Sequence, residues 1–242
     1  AARLEASKAF AKAFMQAQGI PTAKAATFTR FAEAKTALPN FMNAEGVVIK
    51  ASGLAGGKGV VVCDTLAQAE AALQEIMQEK AFGAAGDEVL IEERMVGAEL
   101  SLLVLTDGKT AVPLMPASDH KRAYDNNEGP NTGGMGVFGP PADVDQALID
   151  EVMATIIEPT IQGIAAQATP YAGVLYVGVM LTASGPKVIE FNCRFGDPET
   201  QVVLPMLDGD LAEIMLACAE GRLTADLINV FPGSAVTVVM AS

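Results

Sequence analysis

The sequence has little cysteine, histidine or positive charge. Three cysteines, Cys63, Cys193 and Cys218, lie far apart without metal-ligand spacing. Reduced thiols are the default for such a pattern, which suits a cytoplasmic protein. The single histidine, His120, sits in a polar stretch, where a solvated or hydrogen-bonded side chain is the ordinary outcome. No Ser-His-Asp or Cys-His arrangement supports hydrolysis by a protein nucleophile. Basic residues number 16 against 29 acidic ones, a net charge of −13, which argues against nucleic acid as the main partner. The longest apolar run, Val174 to Leu181, is too short to cross a membrane, and no signal peptide is visible. Internal repeats and low-complexity segments are absent. An alanine at position 1 and a helix pattern that starts at once suggest a module cut from a longer chain.

What is present fits a folded α+β protein. The 242 residues are long for one domain and short for two full ones. Half of them are hydrophobic, enough for a sizeable core. The chain is organised around residues 47–63, where two β-branched runs flank a loop with four glycines, Gly53, Gly56, Gly57 and Gly59. The flanks read as one hairpin. Glycine lets backbone N–H groups approach an anion closely, and lysine adds a point charge suited to phosphate. Lys50 closes the first strand and Lys58 sits in the loop, so the chemical reading is a nucleotide-phosphate clamp. An ordinary glycine-rich turn would show the same residues. The loop is neither a Walker loop nor a Rossmann turn, because a strand and not a helix follows it.

In order, the pattern predicts a helix over 3–18 with Phe10, Phe14 and Ala17 on one face, stopped by Gly19 and Pro21. A short strand over 22–28 and a short helix over 29–38 follow. After the hairpin comes a helix over 65–80 with Thr65 as N-cap. A strand over 88–94 carries Glu92 and Glu93, and a hairpin over 99–115 turns at Asp107-Gly108. Residues 116–141 read as a long polar loop; loops of that length are functional or disordered, and this one reads as a substrate loop. A helix over 143–167, kinked or broken at Pro159, precedes a second hairpin over 172–192. There Glu190 and Asn192 point to one face and Phe191 to the other. A carboxylate and an amide oxygen so placed can hold Mg²⁺ beside phosphate oxygens. Helices over 199–204 and 208–220 and a strand over 234–241 complete the chain.

Lysines near a glycine loop, a Glu-x-Asn strand and Arg194 are parts that phosphoryl transfer needs. At these residues the chain resembles the ATP-grasp module of the glycinamide ribonucleotide synthetase family, also called phosphoribosylamine–glycine ligases. The resemblance rests on residues 4–12, Gly53-Leu-Ala-Gly-Gly-Lys-Gly-Val-Val-Val62, Asp119-His-Lys-Arg-Ala123, Gly129-Pro-Asn-Thr-Gly-Gly-Met-Gly136, Gly173-Val-Leu-Tyr176 and Glu190-Phe-Asn-Cys-Arg-Phe-Gly-Asp-Pro-Glu199. Residues 53–62 and 190–199 resemble ATP-grasp enzymes broadly, whereas 119–123 and 129–136 are specific to this family.

The resemblance implies an ATP-grasp fold of two lobes with ATP between them. It assigns residues 1–19 to a helix packing on the larger lobe, 20–95 to the smaller lobe, 96–225 to the larger lobe, and 226–242 to the start of a further C-terminal domain. It also implies an ATP-dependent ligase that joins glycine to 5-phosphoribosylamine through glycyl phosphate in purine biosynthesis. Its small-molecule partners are ATP, glycine and phosphoribosylamine, with further domains in the natural chain. Lys50, Gly53, Gly56, Gly57, Lys58 and Gly59 would surround the ATP phosphates, with Lys58 and Arg194 catalytic. Glu92, Glu93, Met95 and Val96 would hold adenine, and Glu99 ribose. Asp119, Lys121, Arg122, Asn131, Thr132, Gly133, Gly134 and Asp197 would line the substrate side, while Glu190 and Asn192 hold Mg²⁺ or Mn²⁺. Three departures stand out. Position 52 is Ser where the family usually shows Asp, and Asp125-Asn-Asn replaces the usual Asp-Gly-Asp. The strand Val174 to Leu181 lacks the further metal-binding acid that many ATP-grasp enzymes carry.

Overall fold

The computed structural model describes residues 1–56, 58–167 and 170–240. Its contacts divide the chain into two units. The smaller comprises Ala2–Ala17 and Thr22–Gly97; the larger comprises Ala1, Gln18–Pro21 and Ala98–Ser242.

The smaller unit holds α1 (Arg3–Ala6), α2 (Lys8–Gln18), β1 (Ala25–Phe28), α3 (Phe31–Ala37), β2 (Val47–Ala51), β3 (Val60–Cys63), α4 (Leu66–Leu73) and β4 (Val89–Glu93). Its sheet runs β1-β4-β2-β3 with every neighbour antiparallel. The hairpin expected around the glycine loop is the β2–β3 pair, with Val47 opposite Cys63. Strand side chains alternate between faces. Val47 and Ile49 of β2 therefore join Val89 and Ile91 of β4 in the core beneath α3 and α4, and Lys50 and Glu92 stand on the other face. Helix α4 starts as expected at Thr65, whose hydroxyl forms a capping box with Gln68.

The first helix differs from expectation in three ways. It breaks at Ser7, which adopts an extended φ of −139° and whose Oγ accepts from the Phe10 amide. Its buried side chains are Ala11, Lys12, Phe14 and Met15, while Ala17 is exposed. The helix also clusters with the smaller unit rather than the larger one, as far as Ala17. Polar ties explain this. The Ser52 carbonyl accepts from the Lys8 amide at 2.8 Å, and Ser52 Oγ accepts from the Ala9 amide at 3.2 Å. Ser52 thus completes the start of α2.

The larger unit holds β5 (Ala98–Asp107), β6 (Ala111–Pro113), β7 (Ser118–Tyr124), β8 (Glu128–Gly139), α5 (Gln146–Val152), α6 (Glu158–Ala165), β9 (Ala172–Thr182), β10 (Gly185–Asn192), α7 (Thr200–Val203), β11 (Leu207–Asp208), α8 (Leu211–Glu220), β12 (Asn229–Val230) and β13 (Ala235–Val238). One sheet runs β10-β9-β5-β6, a second β13-β8-β7, and β11 pairs with β12. In the first sheet the pairing steps from Val188↔Val179 to Glu190↔Gly178, so Ile189 is a bulge in β10. Leu103, Leu105, Val174 and Tyr176 pack against Val202, Val203, Ile214 and Cys218 on one side of this sheet.

Two expectations are corrected in this unit. Residues 116–141 are a β-ribbon and not a loop, with Asp119 opposite Val137 and Arg122 opposite Asn131. The helix at Pro159 is not broken. A π-helical turn over Met153–Ile157 runs directly into α6, and this change of helical period accompanies a proline that has no amide to donate. Residues 235–238, expected in the start of a further domain, pair with Gly136–Gly139 and cluster with the larger unit. Among the described residues, no helix is long and apolar enough to cross a membrane.

Candidate functional site

In the smaller unit, the strand register sets the candidate phosphate groups. Glu92 lies opposite Val48, and Lys50 opposite Leu90, which places the two charges diagonally on one face. Lys50 Nζ reaches Glu92 Oε2 at 2.7 Å, and Lys12 Nζ reaches Glu92 Oε1 at 3.1 Å. All three side chains are more than nine-tenths buried. Burial pushes the Glu92 carboxyl up, but Lys50 and Lys12 outweigh it and hold the carboxyl below its usual range. Burial likewise lowers Lys12, which Glu92 offsets only in part.

The glycines of the loop have distinct physical reasons. A Cβ on Gly53 would stand 2.8 Å from Ala85 Cα, and one on Gly59 would press on Ala55 and Ala51. Both mark close approach of chain segments. Gly56 has open space around it but a φ of +57°, which disfavours a side chain. Gly57 lies outside the described residues. Lys58 is exposed. Glu93 Oε1 accepts from the Lys24 amide at 3.0 Å; Met95 is half-buried and Val96 is 56 % exposed.

In the larger unit, a charged cluster forms where β5, β7, β9 and β10 meet the turn before α7. Lys121 Nζ lies 3.1 Å from Glu99 Oε2 and 3.9 Å from Asp119 Oδ2. Burial lowers Lys121, yet Tyr176 and the carboxylates of Glu99 and Glu190 outweigh it and hold the ammonium above its ordinary range. Glu199, buried, accepts at Oε1 from Tyr176 Oη at 3.0 Å and Ser101 Oγ at 3.1 Å. Burial also pushes the Tyr176 phenol up.

Asp119 is the anomaly of the cluster. Its side chain is only 4 % exposed, yet Oδ1 has no hydrogen-bond partner among the described residues. Desolvation raises its carboxyl to about 6; Lys121 opposes that shift, while Glu199 and Glu99 add to it. A buried carboxylate oxygen without a donor is costly unless a ligand supplies one. The surrounding carboxylates favour a cationic donor. Gly134, at a φ of +126°, closes over this oxygen, and a Cβ there would stand 3.1 Å from it.

On β10, Phe191 is buried while Glu190 and Asn192 are part-exposed on the opposite face, as the alternation predicted. Asn192 Oδ1 accepts from Arg194 Nη2 at 3.4 Å. Gly178 lies opposite Glu190, and even a Cβ there would make only ordinary contact with the Glu190 side chain. One carboxylate and one amide oxygen, both hard donors with room before them, fit Mg²⁺, which takes few protein ligands when phosphates supply the rest. Among the described residues no three Asp, Glu, His or Cys converge as a protein-only metal cage.

The structure therefore brings Lys50 and Glu92 together in one unit. In the other it gathers Glu99, Asp119 and Lys121, and aligns Glu190, Asn192 and Arg194. Other expected substrate groups are engaged locally: Arg122 Nη1 donates to the Gly129 carbonyl at 2.6 Å, Thr132 Oγ1 to the Lys121 carbonyl at 2.9 Å, and Gln201 Nε2 to Asp197 Oδ1 at 2.6 Å. Asn131 is exposed, and a Cβ on Gly133 would meet nothing within 4 Å. His120 is exposed, its ring tilted against Phe138. Burial pushes the Cys63 and Cys218 thiols up, as expected of inert core residues. Sequence reasoning missed Lys12, Ser101, Tyr176 and Glu199. The one available signal was a lysine inside the apolar stripe of a helix.

Residues 6–200 match the profile of the phosphoribosylglycinamide synthetase ATP-grasp (A) domain. The chain belongs to this family. The trifunctional purine biosynthetic protein adenosine-3 of Homo sapiens is 50 % identical over 243 residues, covering all of this chain and 24 % of that protein. The phosphoribosylamine–glycine ligase of Caulobacter vibrioides is 51 % identical over 223 residues, covering 92 % of this chain and 52 % of the relative. The crystal structure of phosphoribosylamine–glycine ligase from Thermotoga maritima superposes over the whole chain, and over 60 % of its own, with a TM-score of 0.91 at 33 % identity. The chain thus spans about a quarter to a half of the curated relatives it matches, and its fold is the ATP-grasp fold of the phosphoribosylglycinamide synthetases.

Proposed function

We propose that this chain is the ATP-binding and phosphoryl-transfer portion of a phosphoribosylamine–glycine ligase. In this reading ATP phosphorylates the glycine carboxylate, giving glycyl phosphate and ADP. The amine of 5-phosphoribosylamine then attacks the acyl carbon, the C–O bond to phosphate breaks, and the amine gives up a proton. Glycinamide ribonucleotide and phosphate result. The observation that carries the reading is the donor-less Oδ1 of buried Asp119 within a carboxylate-rich cluster. Such a site suits an amine or ammonium group of a small substrate.

Lys50 and Lys58 neutralise the ATP phosphates, the β4 segment through Val96 receives adenine, and Glu99 receives ribose hydroxyls. Glu190 and Asn192 would hold Mg²⁺ (or Mn²⁺), which would supply charge neutralisation for the phosphates. Arg194 steadies the transferring phosphoryl group. Lys121, fixed between Glu99 and Asp119, orients the substrate side. Further domains of the natural chain contribute to holding phosphoribosylamine, and three cysteines without a disulfide suit a cytoplasmic setting.

ADP release is the test, measured with neither substrate, with glycine alone and with glycine plus phosphoribosylamine. Release that requires glycine supports the ligase. Glycine-independent release stimulated by another carboxylic acid would move the chain to a different ATP-grasp ligase. Nucleotide binding without turnover in a full-length context would leave only a binding module.

A further inference from the structure

The trio Lys12–Glu92–Lys50 is larger than a phosphate contact needs. One lysine on one carboxylate would form a neutral buried pair. If that lysine then moved to a ligand, it would strand a buried carboxylate, an expensive state. Here each carboxylate oxygen has its own ammonium, Oε1 with Lys12 and Oε2 with Lys50.

The two lysines are not equivalent. Lys12 Nζ has an acceptor for each of its three hydrogens: Glu92 Oε1 at 3.1 Å, Thr22 Oγ1 at 2.7 Å and the Ala23 carbonyl at 3.3 Å. It is 4 % exposed and anchored on α2. Lys50 stands near the end of β2, directly before the glycine loop.

We propose that Lys12 is a positioning residue for nucleotide phosphate, holding Glu92 in place so that Lys50 can exchange that carboxylate for a phosphate oxygen. The inference rests on the nucleotide reading above. Lys12 touches no ligand. It keeps Glu92 compensated when Lys50 turns away, and it leaves the trio with a net positive charge that an anion can use. Without it, Lys50 and Glu92 close into a neutral pair that competes with the phosphate.

The test is the ratio of ATP affinity to adenosine affinity, measured by titration in the presence of Mg²⁺. The ratio isolates the phosphate contribution, and thermal melting checks the fold. Parent protein should favour ATP strongly. Lys12→Met keeps the shape but removes the charge, and should lower the ratio tenfold or more with adenosine affinity within about twofold of the parent. Lys12→Met combined with Glu92→Gln buries no stranded carboxylate, and it carries the test if the single variant fails to fold. There Lys50 has no anion to leave, so the ratio should return to the parent value or exceed it.

A purely structural trio predicts otherwise. Lys12→Met would then leave the ratio unchanged, or the double variant would lose it tenfold because Lys50 is no longer held. Either result overturns the proposal. A parent chain that binds ATP no better than adenosine overturns the nucleotide reading itself, and the proposal with it.

Discussion

Tyr176 and Glu199 are joined by a hydrogen bond of 3.0 Å from the phenol to a buried carboxylate oxygen, and Ser101 Oγ closes the triangle at 2.9 Å from Tyr176 Oη and 3.1 Å from Glu199 Oε1. The triangle ties β5 and β9 to the turn before α7. Tyr176→Phe leaves Glu199 buried with one donor fewer. A hydrogen bond to a charged group contributes about 1.5–3 kcal/mol, so the midpoint of urea unfolding should fall by that equivalent. An unchanged midpoint would show that Ser101 alone satisfies Glu199.

Glu190→Gln should lower turnover by on the order of 100-fold, the usual size for losing one electrostatic element of this kind. The fold should stay intact. Raising Mg²⁺ should recover part of the loss, because the defect is in metal affinity. Normal turnover with normal Mg²⁺ dependence, assayed in a full-length context, would remove Glu190 from the metal site.

Asp119 makes stability depend on pH with a definite sign. Its carboxyl is raised from 3.8 to about 6 in the folded state, so the native protein binds this proton more tightly than the unfolded chain. Ionised Asp119 therefore costs stability, with the cost growing between about pH 4 and pH 6 and reaching a plateau above. A shift of that size corresponds to roughly 3 kcal/mol. Without ligand and with chelator present, Asp119→Asn should be more stable than the parent at pH 7 and no more stable at pH 3.5. The same variant should lose affinity for the amine-bearing substrate. Equal melting curves for the two proteins at pH 7 would sink the prediction.

The glycine loop separates stability from binding. Gly53→Ala forces a Cβ against the Ala85 backbone, and overpacking of this kind costs about 1–3 kcal/mol. Lys58 is exposed, so Lys58→Ala should change stability by less than about 0.5 kcal/mol while raising KM for ATP. A destabilised Lys58→Ala, or a Gly53→Ala as stable as the parent, would reverse these roles.

Sequence patterns revealed what alternates. The β2–β3 hairpin, the Thr65 cap and the alternation of Glu190 and Asn192 with Phe191 were all legible from their immediate neighbours. The ribbon over Ser118–Gly139 was not. Its pairing is carried by backbone hydrogen bonds, and its glycines and polar residues show no apolar alternation. Lys12 was hidden for a related reason: it is buried through its charge, so its partners lie at positions 22, 23 and 92, and no helical period announces them. The first helix, expected on the larger lobe, clusters with the smaller unit as far as Ala17 through polar contacts of the same kind, which no apolar period reports.

The bulge at Ile189 acts as a phase shift. Pro186 and Val188 are buried before it and Phe191 after it, so the inward residues change from even to odd numbers across one inserted position. Glu190 and Asn192 owe their outward aim to that change of parity. A continuous ladder would turn both into the apolar interior, beside the face that Val188 and Phe191 now share. Deleting Ile189 would remove the bulge and keep both side chains outward, whereas straightening the strand with Ile189 in the ladder would invert its chemistry while altering none of its functional side chains.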